Sequence, residues 1–340
     1  MKDNLENLEE ESEEIKRRLQ INKSKDTVTS ELLDSLRRPI SLFSNKGPCS
    51  SIQLKPYPDR YFIAQEFNDN KDDLRKSIED ALRKFGYTSK VASDSYLPEK
   101  LICKIAALIQ GTPFGVYQLS KSQNRNVYLE LGIAIGLGRS FILVKDKDAD
   151  PAYIVRDIEY YQINDYLDVQ YELGDLLEEY MTSIGRYRPT EILLDPLNKN
   201  AVIYHGDAES IDITIVVAKQ IKNSGFTPVI LGRFQEKLAR YLQSEANVEP
   251  KFIESRDQII EAIQASKFGV FRVHNSASAD NFVTLGVSVG MNKPFIPIKD
   301  VHEKTPTDLL YLPSFDYAGY TNLETKLKLQ FEDWLMAIEK

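Results

Sequence analysis

The segment FGVYQLSKSQNRNVYLELGIAIGLGRSFILVKD, Phe114 to Asp146, aligns without a gap on FGVFRVHNSASADNFVTLGVSVGMNKPFIPIKD, Phe268 to Asp300, at an offset of 154 residues. Phe-Gly-Val opens both. Leu131-Gly132 falls on Leu285-Gly286, Gly136 on Gly290, Phe141-Ile142 on Phe295-Ile296, and Lys145-Asp146 on Lys299-Asp300. The same offset carries Tyr161 onto Phe315, Tyr166 onto Tyr320 and Tyr180 onto Trp334. Upstream, FGYTSKV around Gly86 matches SGFTPVI around Gly225 at an offset of 139, and Tyr61–Ala64 corresponds to Ala201–Tyr204. The change of offset predicts an insertion in the second copy, within GRFQEKLARYLQSEANVEP. A fixed-period match of this kind reads as two diverged copies of one folding unit.

Each copy alternates short apolar runs with helical patterns. In the first, RYFIAQEF reads as a strand and DDLRKSIEDALRKFG as a helix closed by Gly86. TSKVAS is a second strand and LPEKLICKIAALIQG a helix with apolar residues at helical spacing. FGVYQLS, VYLELGIAIGLG and SFILVKD follow as strand, helix and strand; the last is apolar almost throughout, as a strand covered on both faces must be. YYQIND adds a fifth strand and LGDLLEEYMTSI a closing helix. The alternation predicts an α/β fold of two tandem doubly wound, flavodoxin-like parallel-sheet domains, spanning 58–190 and 199–340. Residues 1–45 form a separate helical extension, in which Leu5, Leu8, Ile15 and Leu19 fall near heptad spacing and Ser12 interrupts it. That extension reads either as a solvated helix on the body or as a short coiled coil setting an oligomeric state.

The chain has 340 residues, a hydrophobic content of 42% and a formal net charge of −8. An acidic chain repels phosphate backbones, so bulk nucleic-acid binding is not expected. Its two cysteines, Cys49 and Cys103, have neither CxxC spacing nor the density of a disulfide framework, and a reducing cytoplasm is the expectation. Three scattered histidines (His205, His274, His302) do not make a zinc site, and no metal or cofactor is expected. No apolar run reaches the ~18 residues of a membrane span. The acidic N-terminus does not read as a signal peptide.

Ligands of open parallel sheets bind at the carboxyl ends of the strands. In the first copy this selects Gln65, Glu66 and Phe67 after the first strand, and Ser93, Asp94, Ser95 and Tyr96 after the second. Gln118, Ser120, Asn124 and Asn126 follow the third, with Glu130 at the helix start. The plain reading of Glu130 is a first-turn acid facing free N–H groups, with Asn126 as the N-cap. The sharper reading is a functional carboxyl, because Leu131, Ile133, Ala134, Ile135 and Leu137 behind it would desolvate it and raise its pKa.

The segment from Asn124 to Lys145, with its Asn-x-Asn-Val-Tyr-x-Glu-Leu-Gly pattern and apolar helix, resembles the nucleoside 2-deoxyribosyltransferase family and the related bacterial TIR-like nucleotide-binding domains. The likeness extends over about Arg60 to Tyr166, and VIYHGDAES resembles the first strand and loop of the TIR-like proteins. The resemblance implies N-glycosidic bond chemistry on a nucleoside, nucleotide or NAD-like small molecule. Glu130 would be the nucleophile or the stabiliser of an oxocarbenium-like state, Asn124 and Asn126 would hold sugar hydroxyls, and Phe67 and Tyr117 would wall in the base. Two features depart from the family. Its aspartate after the strand preceding this helix is missing from Tyr117-Gln118-Leu119-Ser120, and AQEFND replaces its small Gly-Pro turn.

In the second copy Thr284 stands for Glu130, Asp280 for Asn126 and Ser278 for Asn124, so that copy is expected to be non-catalytic: a sensor, a lid or a dimer-like partner. His205 and Asp207 are its candidate ligand contacts, against a plain reading as loop polarity. Gly132, Gly136 and Gly138 lie within or at the end of a helix, which excludes a dinucleotide fingerprint and predicts close helix–sheet packing. No Gly-x-Ser-x-Gly elbow occurs. Two further readings stand beside the enzyme: a non-catalytic nucleotide-sensing module, and an oligomerising TIR-like adaptor associating through the N-terminal helix or the paired domains.

Overall fold

The computed structural model describes residues 54–66, 71–91, 101–163, 199–206, 210–310 and 314–339, with isolated positions 30, 32, 36, 169 and 312. The proposed N-terminal coiled coil, the closing helix LGDLLEEYMTSI, and the candidates Phe67, Ser93, Asp94, Ser95, Tyr96 and Asp207 lie outside the described residues.

In the first copy, β1 (Arg60–Ala64), α1 (Lys71–Arg83), β2 (Thr88–Lys90), α2 (Leu101–Gly111), β3 (Phe114–Leu119), α3 (Arg125–Gly136), β4 (Ser140–Asp146), a 3-10 turn (Tyr153–Val155) and β5 (Tyr161–Ile163) follow in order. The second copy runs β6 (Asn200–Tyr204), α4 (Ile211–Asn223), β7 (Thr227–Leu231), α5 (Glu236–Glu245), β8 (Lys251–Ile253), α6 (Arg256–Ala265) and β9 (Phe268–Arg272). It ends with α7 (Ala279–Gly290), β10 (Phe295–Asp300), a 3-10 turn (Thr307–Leu309), β11 (Phe315–Tyr317) and α8 (Tyr320–Glu339).

Both sheets are parallel. The first has the order β2-β1-β3-β4-β5 and the second β11-β10-β9-β6-β7-β8. Among the described residues the second is therefore the first with one strand, β8, added at the edge beside β7. Helix α5 and strand β8 occupy the segment where the two sequence offsets part. Register repeats as well: Phe62 faces Gly115 as Val202 faces Gly269, and Val116 faces Ile142 as Val270 faces Ile296. The fold is an α/β pair of doubly wound parallel sheets.

Local chemistry explains the helix ends. Gly86 (φ 75°) and Gly225 (φ 82°) close α1 and α4 in the left-handed conformation. In each a back-bond follows, from Tyr87 N–H to the Leu82 carbonyl (3.3 Å) and from Phe226 N–H to the Ile221 carbonyl (3.1 Å). This is the helix stop that glycine permits at lowest conformational cost.

Packing sets the copies face to face. Leu74, Ile78, Ala81 and Leu82 of α1 cover the outer side of the first sheet, while Ile215, Val216, Ile221, Leu323 and Phe331 cover that of the second. Between the sheets a single core runs continuously from Phe62, Tyr117 and Leu143, through α2, α3, α6 and α7, to Val202, Leu231 and Phe271. Helices α3 and α7 are apolar on nearly all sides because each lies between its own sheet and the other helix.

The glycines of these helices correct the expectation of helix–sheet packing: they allow helix–helix packing across the copies. A Cβ on Gly132 would lie 2.2 Å from the Val283 carbonyl oxygen, and one on Gly286 would lie 2.2 Å from that of Leu129. Gly136 and Gly290 repeat this at 2.4 Å, against Val287 and Ile133. Every contact maps onto its mate at the offset of 154, so the joint has pseudo-twofold symmetry with small residues four apart on both helices. The backbones touch directly, as small-xxx-small helix pairs permit.

One further expectation changes. Cys103, buried on α2, is disulfide-bonded, and the only other cysteine, Cys49, lies outside the described residues. The cysteines therefore no longer point to a reducing compartment. Among the described residues no helix is long and apolar enough to cross a membrane.

Candidate active site at the joint between the copies

Helix α3 starts one residue after Asn124, whose side-chain oxygen accepts from the Asn126 N–H at 3.0 Å. The N-cap is thus Asn124 and not Asn126. It follows that Glu130 lies past the first turn, where no acid is found. The helix-end field falls off within that turn, so first-turn stabilisation does not account for Glu130.

Asn126 and Glu130 are four apart and share one face of α3. That face meets the 3-10 turn of the second copy. At the exposed rim, Asn126 Nδ2 donates to Thr307 Oγ1 at 2.9 Å. Beneath it, Glu130 (8% exposed) stands beside Asp308 (4% exposed). Burial, and secondly the negative charge of Asp308, push the Glu130 carboxyl well above the usual carboxylate range. Burial raises Asp308 to about 7, partly opposed by the Thr307 hydroxyl. The pair lacks cationic compensation among the described residues, so it holds protons near neutrality as a unit. Asp308 Oδ2, Asn126 Oδ1 and Thr305 Oγ1 are all buried with no hydrogen-bond partner among the described residues. Buried polar atoms left open in this way are rare, and two of them, on Asp308 and Asn126, belong to this contact.

The pseudo-equivalent contact in the other direction has neither acid. Thr284 stands for Glu130 and donates within its own helix to the Asp280 and Asn281 carbonyls (3.1 and 2.9 Å). Ile154 stands for Asp308, at the same offset, and its N–H donates to Asp280 Oδ1 at 2.7 Å. Both acids are thus present at one of the two related positions and both absent from the other.

The remaining candidates separate. Gln118 Nε2 donates to Asp146 Oδ1 at 2.9 Å while its oxygen accepts from the Glu66 N–H at 3.3 Å, so it ties together the ends of β1, β3 and β4. Gln65 directly follows β1. Ser120 is buried and bonds Ser122 at 2.9 Å. Tyr117 is fully buried, its ring 6.0 Å from that of Phe62 and 6.4 Å from that of Phe141, and it fills the core rather than lining an opening. His205 is likewise enclosed, between Thr214 Oγ1 (2.7 Å) and Gln235 Oε1 (3.3 Å). The structure therefore brings Asn124, Asn126 and Glu130 together and adds Thr307 and Asp308, which the sequence reading missed. A usable signal existed: Asp308 and Glu130 are both acids whose partners in the other copy, Ile154 and Thr284, are not. Among the described residues no cluster of potential metal ligands occurs.

The pair fixes a pH dependence of stability. An acid whose folded pKa is raised loses stability as pH climbs from its unfolded value to its folded one. For Asp308 that window runs from about 3.8 to about 7, and Glu130 extends the loss upward. Chemical denaturation midpoints should therefore fall between pH 5 and pH 8, and Asp308→Asn should flatten the fall. An unchanged slope in that variant would show that the pair is not buried together.

No protein-family description matches the chain, and no curated relative matches it. Among solved structures, the chain is similar to a glycosyl transferase family 9 protein from Veillonella parvula, with 10% identity, a TM-score of 0.30, and 78% of this chain and 86% of that one covered. It is also similar to a UDP-forming trehalose-phosphate synthase from Burkholderia xenovorans, with 10% identity, a TM-score of 0.30, and 85% and 68% covered. A ketoreductase domain from the bacillaene assembly line aligns at 11% identity with a TM-score of 0.23, covering 85% of this chain and 79% of that one. At such values these similarities carry no argument about the site, whose reading rests on its own residues.

Proposed function

We propose that the chain binds a nucleoside or nucleotide and cleaves, or transfers across, its N-glycosidic bond at the joint of the two copies. The observation that supports this is the Glu130–Asp308 pair: two buried carboxyls of different copies, on a face whose rim carries Asn126 and Thr307. Paired carboxyls of unequal proton affinity are what glycosyl transfer requires, one to give or take a proton and one to meet the positive charge at the anomeric carbon.

In this proposal, which follows the resemblance to the deoxyribosyltransferases, Glu130 is the attacking group. Its raised pKa means that the proton must leave before it can attack. Asp308, half ionised near neutrality, is the adjacent base that can accept it. As the bond from the anomeric carbon to the base nitrogen breaks, its electron pair goes to the nitrogen. The proton follows from Asp308, and the Glu130 carboxylate captures or shields the sugar. Water or a second base then takes the sugar and restores the pair. On this reading Asp308 supplies from the second copy the acid that the first copy lacks after its third strand.

The test is incubation with nucleosides, nucleotides and NAD, with free base read by chromatography. Release is expected for at least one of them. Asp308→Asn should slow release by about 10²-fold, the usual scale for a proton-transfer group, and remove the acid limb of the pH profile near 7. No release across the panel, or an unaltered profile in Asp308→Asn, would overturn the reading.

A further inference from the structure

The contact of a helix start with a 3-10 turn of the other copy occurs twice, and its second occurrence borders a cavity of about 320 Å³. That volume falls within the range of small-molecule sites. Tyr153, Ile154, Ser278 and Asp280 line it. At the offset of 154 residues these are the mates of Thr307, Asp308, Asn124 and Asn126. The cavity is therefore the counterpart, on the second copy, of the Glu130–Asp308 site. It lies beyond the carboxyl ends of β6 and β7, where ligands of open parallel sheets bind.

Two glycines shape this space. A Cβ on Gly206 would lie 2.8 Å from Tyr204 Oη and 3.3 Å from Ser278 Oγ. Gly232 has φ 135°, and a Cβ there would lie 2.1 Å from the His205 carbonyl oxygen. The loops after β6 and β7 therefore run against each other with bare backbone at the cavity.

Thr284 and Ile154 stand where the first site has its two carboxyls, so the acid pair has no counterpart here. What the cavity offers instead is a flat wall, a matched set of charges and an acceptor. Arg233 lies over the Tyr153 ring at 4.6 Å, and Tyr153 is still 37% exposed, so planar surface remains open. The Asp280 carboxylate faces Arg156 and Arg233, and Arg156 bonds Asp150 at 3.1 Å. Arg125 is engaged by the Ala277 and Gln123 carbonyls. Charges answered in this way give an added ion little advantage. An uncharged planar ring needs no counter-charge and stacks on aromatic and guanidinium planes alike. Asp280 Oδ1 accepts the Ile154 N–H at 2.7 Å. A carboxylate has about four acceptor positions on its two oxygens, so Asp280 can also take N–H groups of such a ring, as acidic side chains do from the amino groups of bases.

We propose that the second copy binds a nucleobase, free or as its nucleoside, in this cavity without turning it over. The base stacks on the Tyr153 and Arg233 planes and gives its N–H groups to Asp280. The choice of a base among planar polar rings rests on the nucleoside reading of the first site; the cavity, its stacking wall and its acceptor do not. A base released at the first site is then of the same class as the ligand of the second.

Isothermal titration calorimetry of the full chain with adenine, adenosine, cytidine and AMP tests it, in the Glu130→Gln background so that no ligand is consumed. At least one base or nucleoside should bind, and adenine against adenosine shows whether the sugar is read as well. AMP should bind no more tightly than adenosine. Tyr153→Ala removes the stacking wall from a surface turn, should melt like its parent, and should weaken binding tenfold or more. Asp280→Asn keeps an acceptor for the Ile154 N–H, turns the other oxygen into a donor, and should weaken binding independently. Absence of binding by all four compounds, unchanged affinity in both variants, or a tenfold gain from the phosphate would overturn the proposal. Base release by the wild type without this binding would overturn the second site alone, whereas binding without release would support it and overturn the reading of the first.

Discussion

Replacing Glu130 with glutamine is expected to reduce base release by about 10³-fold or more, equivalent to roughly 4 kcal/mol of barrier. Glutamine keeps the size and the hydrogen-bonding capacity of the protonated acid and removes its ability to ionise. The helix it sits on should be unaffected, because the same position is Thr284 in the other copy and α7 forms there with the same length and the same glycine contacts. Relative to the wild type, stability should already be higher at pH 6 and higher still at pH 8, since the variant no longer has to keep a buried carboxyl protonated against the solvent. Loss of release with retained or improved stability separates a chemical role from a packing role. Full activity in Glu130→Gln would remove Glu130 from the reaction, and an equal loss of activity and of folding would make it structural.

The sheets were legible because parallel strands covered on both faces are written as apolar runs, and because the chain states its topology twice. Phe114–Asp146 and Phe268–Asp300 each give a strand, a helix and a strand in one register, so the second segment checks the first. The joint was harder to see. Glycine in a helix signals that something comes close, but Gly132 and Gly136 alone do not say whether that something is a sheet or a helix. The distinguishing mark was that α3 and α7 are apolar on nearly all sides, more than one sheet could cover. Asp308 was missed for a different reason. It lies on a 3-10 turn with no motif of its own, and only the packing of the two copies carries it to Glu130. Tyr117 erred in the opposite direction: it lies on β3 two residues before the strand's carboxyl end, near the expected site, yet its alternation along β3 turns the ring into the core.

Gly132→Ala and Gly286→Ala should each destabilise the chain by about 3 kcal/mol or more, against a gain of about 1 kcal/mol that alanine brings to an ordinary helix interior. The added Cβ would sit 2.2 Å from a carbonyl oxygen of the opposing helix, and no flexible side-chain end is available to move aside. The helices must separate by about 1 Å to reach ordinary contact distance. A densely packed core does not stretch by that much without losing contacts along the whole joint. The same exchange at Gly225 is the control: its Cβ would meet nothing within 4 Å, and only the φ of 82° opposes it. Gly225→Ala should therefore cost about 1 kcal/mol, the penalty of a left-handed residue with a side chain. The joint variants carry a second consequence that the control lacks. Separating α3 from α7 moves Glu130 away from the turn that holds Asp308, so base release should fall in Gly132→Ala even at temperatures where the chain stays folded. The predicted signature is loss of release in the joint variants and its retention in Gly225→Ala at matched folded fractions. Equal behaviour of the three variants would mean that the copies do not need each other, and that Glu130 works without Asp308.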